Sequence, residues 1–245
     1  MTTPVLAVLR RELVSYFVTP VAYVFIAIFL LLASLLTFHM GNFFDRGQAD
    51  LYAFFQWHPW LYLFLVSAIA MRLWSEERKT GTLEILMTLP ISAAQAVVGK
   101  FLAAWIFTGI ALSLTFPLWI TVSYLGDPDH GVIIGSYVGS FLMAGGYLAI
   151  GSCVSALTRN QVIAFVVSVS VCFLFTVSGL PIVLNFFSAW TPQTLLDTIA
   201  SFSFLTHFND LSRGVIDLRD LVFFGSLIIG ALLLNTVIVD AKRGS

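Results

Sequence analysis

The side chains most often used in catalysis or metal binding are sparse in this chain of 245 residues. Its histidines are scattered along the sequence: His39, His58, His130 and His207. They lie at the edges of apolar stretches or between them, without the close spacing of a metal site, and we expect them to be solvated or interfacial. Both cysteines, Cys153 and Cys172, lie inside long apolar runs, where we interpret them as small buried hydrophobic residues.

Motifs for nucleotide binding and hydrolysis are also missing. A phosphate-binding loop needs the pattern GxxxxGK[ST], but Gly99-Lys100 is followed by Phe101 and has no glycine at the required upstream position. The patterns HExxH and GxSxG do not occur. We therefore predict that the chain is not an enzyme and binds no cofactor or metal, so that any active transport takes its energy from another chain.

The densest group of charged and polar residues stands between two apolar stretches, at residues 75–92. Thr80 or Thr82 can cap a short helix that Pro90 would end and that carries an apolar stripe of Leu83, Leu86 and Met87. A short amphipathic helix of this kind can be gripped by a soluble partner or can lie on lipid headgroups. The pattern alone favours neither interpretation.

The composition is typical of an integral membrane protein, because 59% of the residues are hydrophobic and only 10% are charged. The net charge of -1 gives no reason to expect nucleic acid as a partner. A spanning helix needs about 20 apolar residues, and backbone groups in lipid must be satisfied within the helix. We predict an all-α membrane protein with six transmembrane helices, at residues 21–40, 56–74, 97–125, 132–157, 161–185 and 220–240.

The charged residues predict the orientation and limit the mechanism. The apolar cores of the six stretches contain no Asp, Glu, Lys, Arg or His, which argues against an ion-coupled carrier and a membrane-embedded enzyme. Nine basic residues fall on the side that holds both termini: Arg10, Arg11, Arg72, Arg78, Lys79, Lys100, Arg159, Lys242 and Arg243. The other side holds three: Arg46, Arg213 and Arg219. By the positive-inside rule we predict that both termini are cytoplasmic.

Two further segments stand outside the predicted spans. Residues 4–18 place apolar side chains at helical spacing around Arg10, Arg11 and Glu12, which predicts an amphipathic helix in the cytoplasmic interface. Residues 186–219 are too polar to span the membrane but rich in aromatic side chains, and we predict re-entrant or interfacial helices there.

Small residues recur along the predicted fourth and fifth spans and indicate close helix packing. The surface that they form serves either packing within one subunit or a contact with a second subunit or a substrate. Its members are Gly135, Gly139, Gly145, Ala149, Ala164 and Ser168.

Three segments resemble permeases of the ABC-2 type. Residues 76–92 (EERKTGTLEILMTLPIS) resemble the loop after the second span of that family. Residues 11–23 (RELVSYFVTPVAY) are similar to its entry into the first span, and residues 204–217 (FLTHFNDLSRGVID) to the segment before the last. The last segment looks most like the branch of gliding-motility and nitrous-oxide-reductase-maturation permeases.

The resemblance implies the membrane subunit of an ATP-driven exporter in the cytoplasmic (inner) membrane of a bacterium. Such subunits pair as homodimers or heterodimers and bind two copies of a cytoplasmic ABC ATPase, which holds the ATP and Mg. Residues 4–18 would be the elbow helix, residues 76–90 the coupling helix region, and residues 186–219 the outer re-entrant segment. The expected ATPase-coupling residues are Glu76, Glu77, Arg78, Lys79, Thr80, Gly81, Thr82, Leu83, Glu84, Leu86 and Met87.

Other classes of function stay open at this stage. An anchoring or scaffold subunit of a multi-component assembly or motility complex would have the same spans and transport nothing. The likeness to the gliding-motility branch also suggests a membrane-anchored accessory subunit as a further partner.

Overall fold

The computed structural model describes residues 4–82, 90–188, 192–214 and 217–242, and all regular secondary structure in these ranges is helical. The all-α class is therefore confirmed. The helices are α1 (Pro4–Val18), α2 (Pro20–Leu35), α3 (Tyr52–Phe55), α4 (His58–Ala70), α5 (Arg72–Thr80), α6 (Ala93–Ser113), α7 (Phe116–Leu125), α8 (His130–Leu157), α9 (Gln161–Val177), α10 (Pro181–Ser188), α11 (Gln193–Ala200), α12 (Phe204–Ser212) and α13 (Leu218–Ala241).

Four helical segments among the described residues are long and apolar enough to cross a membrane: Pro20–Met40, Ala93–Leu125, His130–Leu157 and Leu218–Ala241. The first is α2 with a π-helical end at Leu36–Met40. The predicted second span is interrupted at Met71, which separates the apolar α4 from the charged α5. The predicted fifth span contains α9, an apolar helix of 17 residues. These two spans and the orientation of the termini stay predictions.

Helix breaks occur where proline removes a backbone donor and disfavours the helical conformation of the preceding residue. Thr19 has extended backbone angles and separates α1 from α2, which begins at Pro20. Pro117 stands in the first turn of α7, directly after the interruption that ends α6. Pro181 likewise opens α10 after the turn that ends α9.

Helix α8 is the centre of the bundle and contacts α4, α5, α6, α9, α12 and α13. Its glycines, serines and alanines let neighbouring helices approach closely. The predicted packing residues Gly135, Gly139, Gly145, Ala149, Ala164 and Ser168 are all buried within this chain. Gly135 and Gly139 face Leu211 of α12, and Gly145 faces Trp105 of α6. Their burial is consistent with packing within the subunit, and a role in a contact with a second subunit stays a prediction.

Serine hydroxyls of α8 also hold the junction between α4 and α5. The Oγ of Ser155 accepts hydrogen bonds from the backbone N–H groups of Trp74 (3.1 Å) and Ser75 (3.0 Å) and donates one to the carbonyl of Met71 (2.7 Å). One hydroxyl therefore pairs backbone groups at the interruption and in the first turn of α5, in an interior where unpaired polar groups are costly.

Two of the four histidines are not solvated, and the expectation for them was wrong. His58 is buried among aromatic rings at the start of α4. His207 is buried in α12, where its Nδ1 lies 2.6 Å from Oδ1 of Asp220 and its Nε2–H donates to the carbonyl of Ser201 (2.9 Å). His207 thus connects α12 to the start of α13. His39 and His130 are exposed.

Helices α1 and α6 run side by side in the same direction. Val8 packs on Gly99, Glu12 reaches Lys100, and Tyr16 stacks on Phe107 with ring centroids 5.0 Å apart. Residues four apart lie on one face of a helix, so Val8, Glu12 and Tyr16 form a single contact surface. The approach is close enough that a Cβ at position 99 would lie 2.8 Å from the Cβ of Val8.

We predict that Gly99→Ala destabilises the protein by about 1–3 kcal/mol, because the added methyl group must push α1 away from α6. Gly225→Ala is the matched control, since a Cβ there meets nothing within 4 Å. That variant should be neutral or gain up to about 1 kcal/mol from the helical preference of alanine. Thermal unfolding of both variants in detergent measures the difference, and equal stability of the two would contradict the packing described.

Candidate functional site

A buried cation joins three helices at one end of the bundle. Lys100 of α6 is 2% exposed, and its Nζ lies 2.8 Å from Oε1 of Glu77 and 3.0 Å from Oε1 of Glu12. The two carboxylates come from α5 and α1, so one ammonium group links all three helices. We call Arg11, Glu12, Glu77 and Lys100 the Lys100 cluster.

Arg11 balances the charge of this cluster and forms its solvent-facing side. Its Nη2 lies 2.5 Å from Oε1 of Glu12 and 3.7 Å from Oε1 of Glu77, and half of its side chain is exposed. Two positive and two negative side chains therefore share one site. The zero net charge of the cluster matters because an unpaired charge in a buried position destabilises the folded protein by several kcal/mol.

The positions of these side chains follow from local sequence. Ser92 opens α6 with a capping box, in which its Oγ accepts from the N–H of Gln95 (3.2 Å) and the Gln95 side chain accepts from the N–H of Ser92 (2.9 Å). The helix start is therefore fixed eight residues before Lys100. The absence of a side chain at Gly99 then lets α1 approach, which brings Glu12 within reach of the ammonium group.

A tryptophan connects the Lys100 cluster to the centre of the bundle. Nζ of Lys100 lies 5.5 Å from the centroid of the fully buried Trp74 ring, within the range of a cation–π interaction. The indole Nε1–H donates to the Oγ of Ser152 in α8 (3.1 Å), which also accepts from Nδ2 of Asn235 in α13 (2.7 Å). A continuous chain of contacts thus runs from α1 to α13.

The ionised form of Glu77 is favoured in this setting. Burial raises the pKa of the Glu77 carboxyl, but the charge and hydrogen bond of Lys100, the hydroxyl of Thr82 and the charge of Arg11 outweigh burial and leave the pKa below its ordinary value. The carboxylate therefore stays charged at neutral pH, and the folded protein binds its proton less well than the unfolded chain.

The other predicted coupling residues divide between partly buried side chains with a partner and exposed positions. Glu76 pairs with Arg72 at 3.0 Å on the same helix, and Arg78 donates to the carbonyl of Ala156 at 2.8 Å. Lys79, Thr80, Gly81 and Thr82 are exposed at the end of α5. Leu83, Glu84, Leu86 and Met87 lie outside the described residues.

Sequence reasoning missed Glu12, Trp74 and Lys100 as members of one site. The available signal was a single lysine inside the helical repeat of an otherwise apolar segment, together with a glutamate on the contact face of the amphipathic helix. Among the described residues, no three His, Cys, Asp or Glu side chains come together in a group that could hold a metal ion.

We predict that Lys100→Met lowers stability by about 3–5 kcal/mol, because it leaves two carboxylates close together with only the half-exposed Arg11 to balance them. The triple variant Glu12→Gln, Glu77→Gln, Lys100→Met should recover most of this loss, since the only charge left in the cluster is that of Arg11, which is half exposed and can be hydrated. Thermal unfolding in detergent measures both, with the exposed Lys79→Met as control. Failure of the triple variant to recover stability would show that packing, and not charge, accounts for the effect.

The lowered pKa of Glu77 predicts a loss of stability in acid. The ion pair between Glu77 and Lys100 contributes its full share of the stability of the folded protein above the ordinary glutamate pKa of about 4.3. This contribution disappears as the pH falls through the lower pKa that Glu77 has in the folded state. Wild type should therefore exceed Glu77→Gln in melting temperature at pH 7, and the difference should shrink below about pH 4. A difference that is constant from pH 7 to pH 3 would contradict this assignment.

Comparison with known proteins identifies the family. The sequence model of a family described as ABC-2 family transporter protein matches residues 60–239, from the first turn of α4 to the last turns of α13. No curated protein matches the chain. The family match includes α5, Trp74, Glu77 and Lys100, and covers well over half of the 245 residues. The chain therefore belongs to the ABC-2 family of transporter proteins, as a multi-pass membrane permease that works with an ABC ATPase.

Proposed function

We propose that the chain is the permease subunit of an ATP-driven exporter and that the ATPase acts on it at the end of the bundle that holds the Lys100 cluster. The observation that carries this proposal is the link from Glu77 in α5 through Lys100 to α6 and α1. A force applied just beyond α5 would reach three helices at once, because one ammonium group connects them.

The ATPase would bind the exposed end of α5 and the segment that follows. Gly81 ends the helix in the left-handed conformation at φ 74°, which glycine adopts without steric cost. Just beyond it, the hydroxyl of Thr82 donates to Oε2 of Glu77 at 2.9 Å. The start of the proposed docking segment is thus hydrogen-bonded to the cluster that would receive its motion.

The distribution of basic residues supports a cytoplasmic position for this end. Arg11, Arg72 and Lys100 lie in or beside the Lys100 cluster. Arg159 lies near Arg78, whose pKa is lowered by burial and by that neighbouring positive charge. Arg46 and Arg213 instead line a cavity at the start of α8, whose 28 residues separate the two ends by about 40 Å. By the positive-inside rule the Lys100 end faces the cytoplasm.

Motion would pass from the docking segment into the bundle through α5. Trp74 and Ser75 in α5 bond to Ser152 and Ser155 of α8, so α5 cannot move far without either shifting α8 or exchanging these hydrogen bonds. The exposed apolar side chains of α9, which include Val162, Val166 and Leu174, would face lipid or a second permease subunit.

We also propose the assembly and the segment roles that the family resemblance implies. The chain would work as a homodimer or heterodimer with two ATPase copies in the cytoplasmic membrane of a bacterium, in the gliding-motility and nitrous-oxide-reductase-maturation branch. Residues 4–18 would act as the elbow helix, and residues 186–219, which hold α11 and α12, as the outer re-entrant segment.

The first test is affinity purification of the tagged chain from its native membrane in mild detergent, with assays of ATPase activity and protein composition. We predict that Lys79→Glu lowers the recovered ATPase activity by about tenfold, because a reversed charge at the proposed contact costs more than about 1.4 kcal/mol. Arg219→Glu reverses an exposed charge at the opposite end and should recover ATPase like wild type.

The same purification separates the transporter from a scaffold. Repeated recovery of the wild-type chain without any ATPase would contradict the proposal and favour an anchoring subunit. Equal loss of ATPase from the Lys79 and Arg219 variants would contradict the proposed contact while leaving the family assignment intact.

A further inference from the structure

A cavity of ≈ 450 Å³ lies at the end of the bundle remote from the Lys100 cluster. Three segments form its walls: the chain from Arg46 to Gln56, the chain from Pro128 through the first two turns of α8, and the end of α12 with the following Arg213. The volume falls within the range of about 300–1,000 Å³ that is typical of small-molecule sites. Its two arginines and two aspartates balance in charge, so the lining favours neither a simple anion nor a simple cation.

Some charged groups of this cavity have no hydrogen-bond or ion-pair partner among the described residues. Arg46 is paired with Asp50 at 3.2 Å and lies over the ring of Tyr52. The guanidinium of Arg213 has no partner among the described residues, although the side chain lines the cavity. Asp129 uses Oδ1 to cap α8, and its other oxygen has no partner in the described part of the chain. One available cation and one available carboxylate oxygen therefore face the same space.

The remaining lining supplies polar groups and apolar surface. The amide of Asn209 lies one helical turn before Arg213 and also has no partner among the described side chains. Phe55, Val132 and Phe208 provide apolar contacts for carbon atoms of a ligand. An amphipathic ligand with charges of both signs matches this combination.

The wall that carries Arg213 and Asn209 is anchored to two other helices, and such anchoring lowers the entropic cost of binding. Helix α12 is attached to α8 through Leu211, which packs on Gly135 and Gly139, and to α13 through the bond between His207 and Asp220.

We propose that this cavity binds a glycerophosphoethanolamine group, with the phosphate on Arg213 and Asn209 and the ammonium on Asp129. Arginine presents paired donors that match phosphate oxygens, and a carboxylate is the complement of an ammonium group. At about 30 Å³ for each water-sized group, the cavity holds about 15 such groups. This number is close to the number of non-hydrogen atoms in glycerophosphoethanolamine. The group can be the headgroup of a membrane phospholipid or a free solute.

The test uses the full chain, purified in maltoside detergent and freed of lipid, with binding measured by isothermal titration and thermal shift. The probes are glycerophosphoethanolamine and dihexanoylphosphatidylethanolamine, compared with glycerol 3-phosphate and ethanolamine alone. We expect at least one zwitterionic probe to bind about tenfold or more tightly than either half, because each charge adds at least about 1.4 kcal/mol. The probe that binds more tightly assigns the source: a membrane lipid if it is dihexanoylphosphatidylethanolamine, and a free solute if it is glycerophosphoethanolamine.

Variants test whether the probes bind in this cavity. Arg213→Gln and Asp129→Asn should each weaken the zwitterion about tenfold, and asparagine preserves the helix cap so that folding is retained. Arg219→Gln, an exposed arginine outside the cavity, should bind like wild type. The proposal is overturned if neither zwitterionic probe binds, if glycerol 3-phosphate binds as tightly as the zwitterions, or if the three variants behave alike.

Discussion

The structure depends most on one ammonium group that is removed from water. Lys100 is tolerable in its buried position only because Glu12 and Glu77 approach it from two other helices, and Arg11 then offsets the second carboxylate. This requirement fixes the register of α1 against α6 and the position of the end of α5. Apolar packing alone would define these positions less sharply, since hydrophobic contacts have no preferred direction. A short charged cluster thereby determines how the membrane helices meet at the end where the partner ATPase is proposed to act.

In the apolar centre, serines of α8 likewise fix the positions of neighbouring helices through polar contacts. Membrane helices gain little from hydrophobic association, so close approach and polar contacts decide how they pack. Ser152 and Ser155 hold Trp74, the junction at Met71, and Asn235 of α13. The site at one end and the cavity at the other are both built against this single helix.

The pattern of apolar residues and prolines predicted the helical class and the break at Thr19-Pro20, and the resemblance of three segments to ABC-2 permeases predicted the family. It did not predict that Lys100 and His207 are buried, because burial of a charged or polar side chain depends on partners from distant parts of the chain. Glu12 and Lys100 stand 88 positions apart, and nothing in their local sequence relates them. Glu77 was predicted to be an ATPase-coupling residue from the motif around it, but its partners became visible only once three helices were in place.

The interruption at Met71 has a mechanical meaning. Backbone groups around it bond to the hydroxyl of Ser155 as well as to their own helix, and a serine hydroxyl can rotate to follow them. A change in the angle between α4 and α5 can therefore exchange one set of hydrogen bonds for another without leaving polar groups unpaired in a dry interior. The junction thus combines a break in the helix with backbone groups that stay paired, at the point where the apolar part of the helix meets its charged continuation.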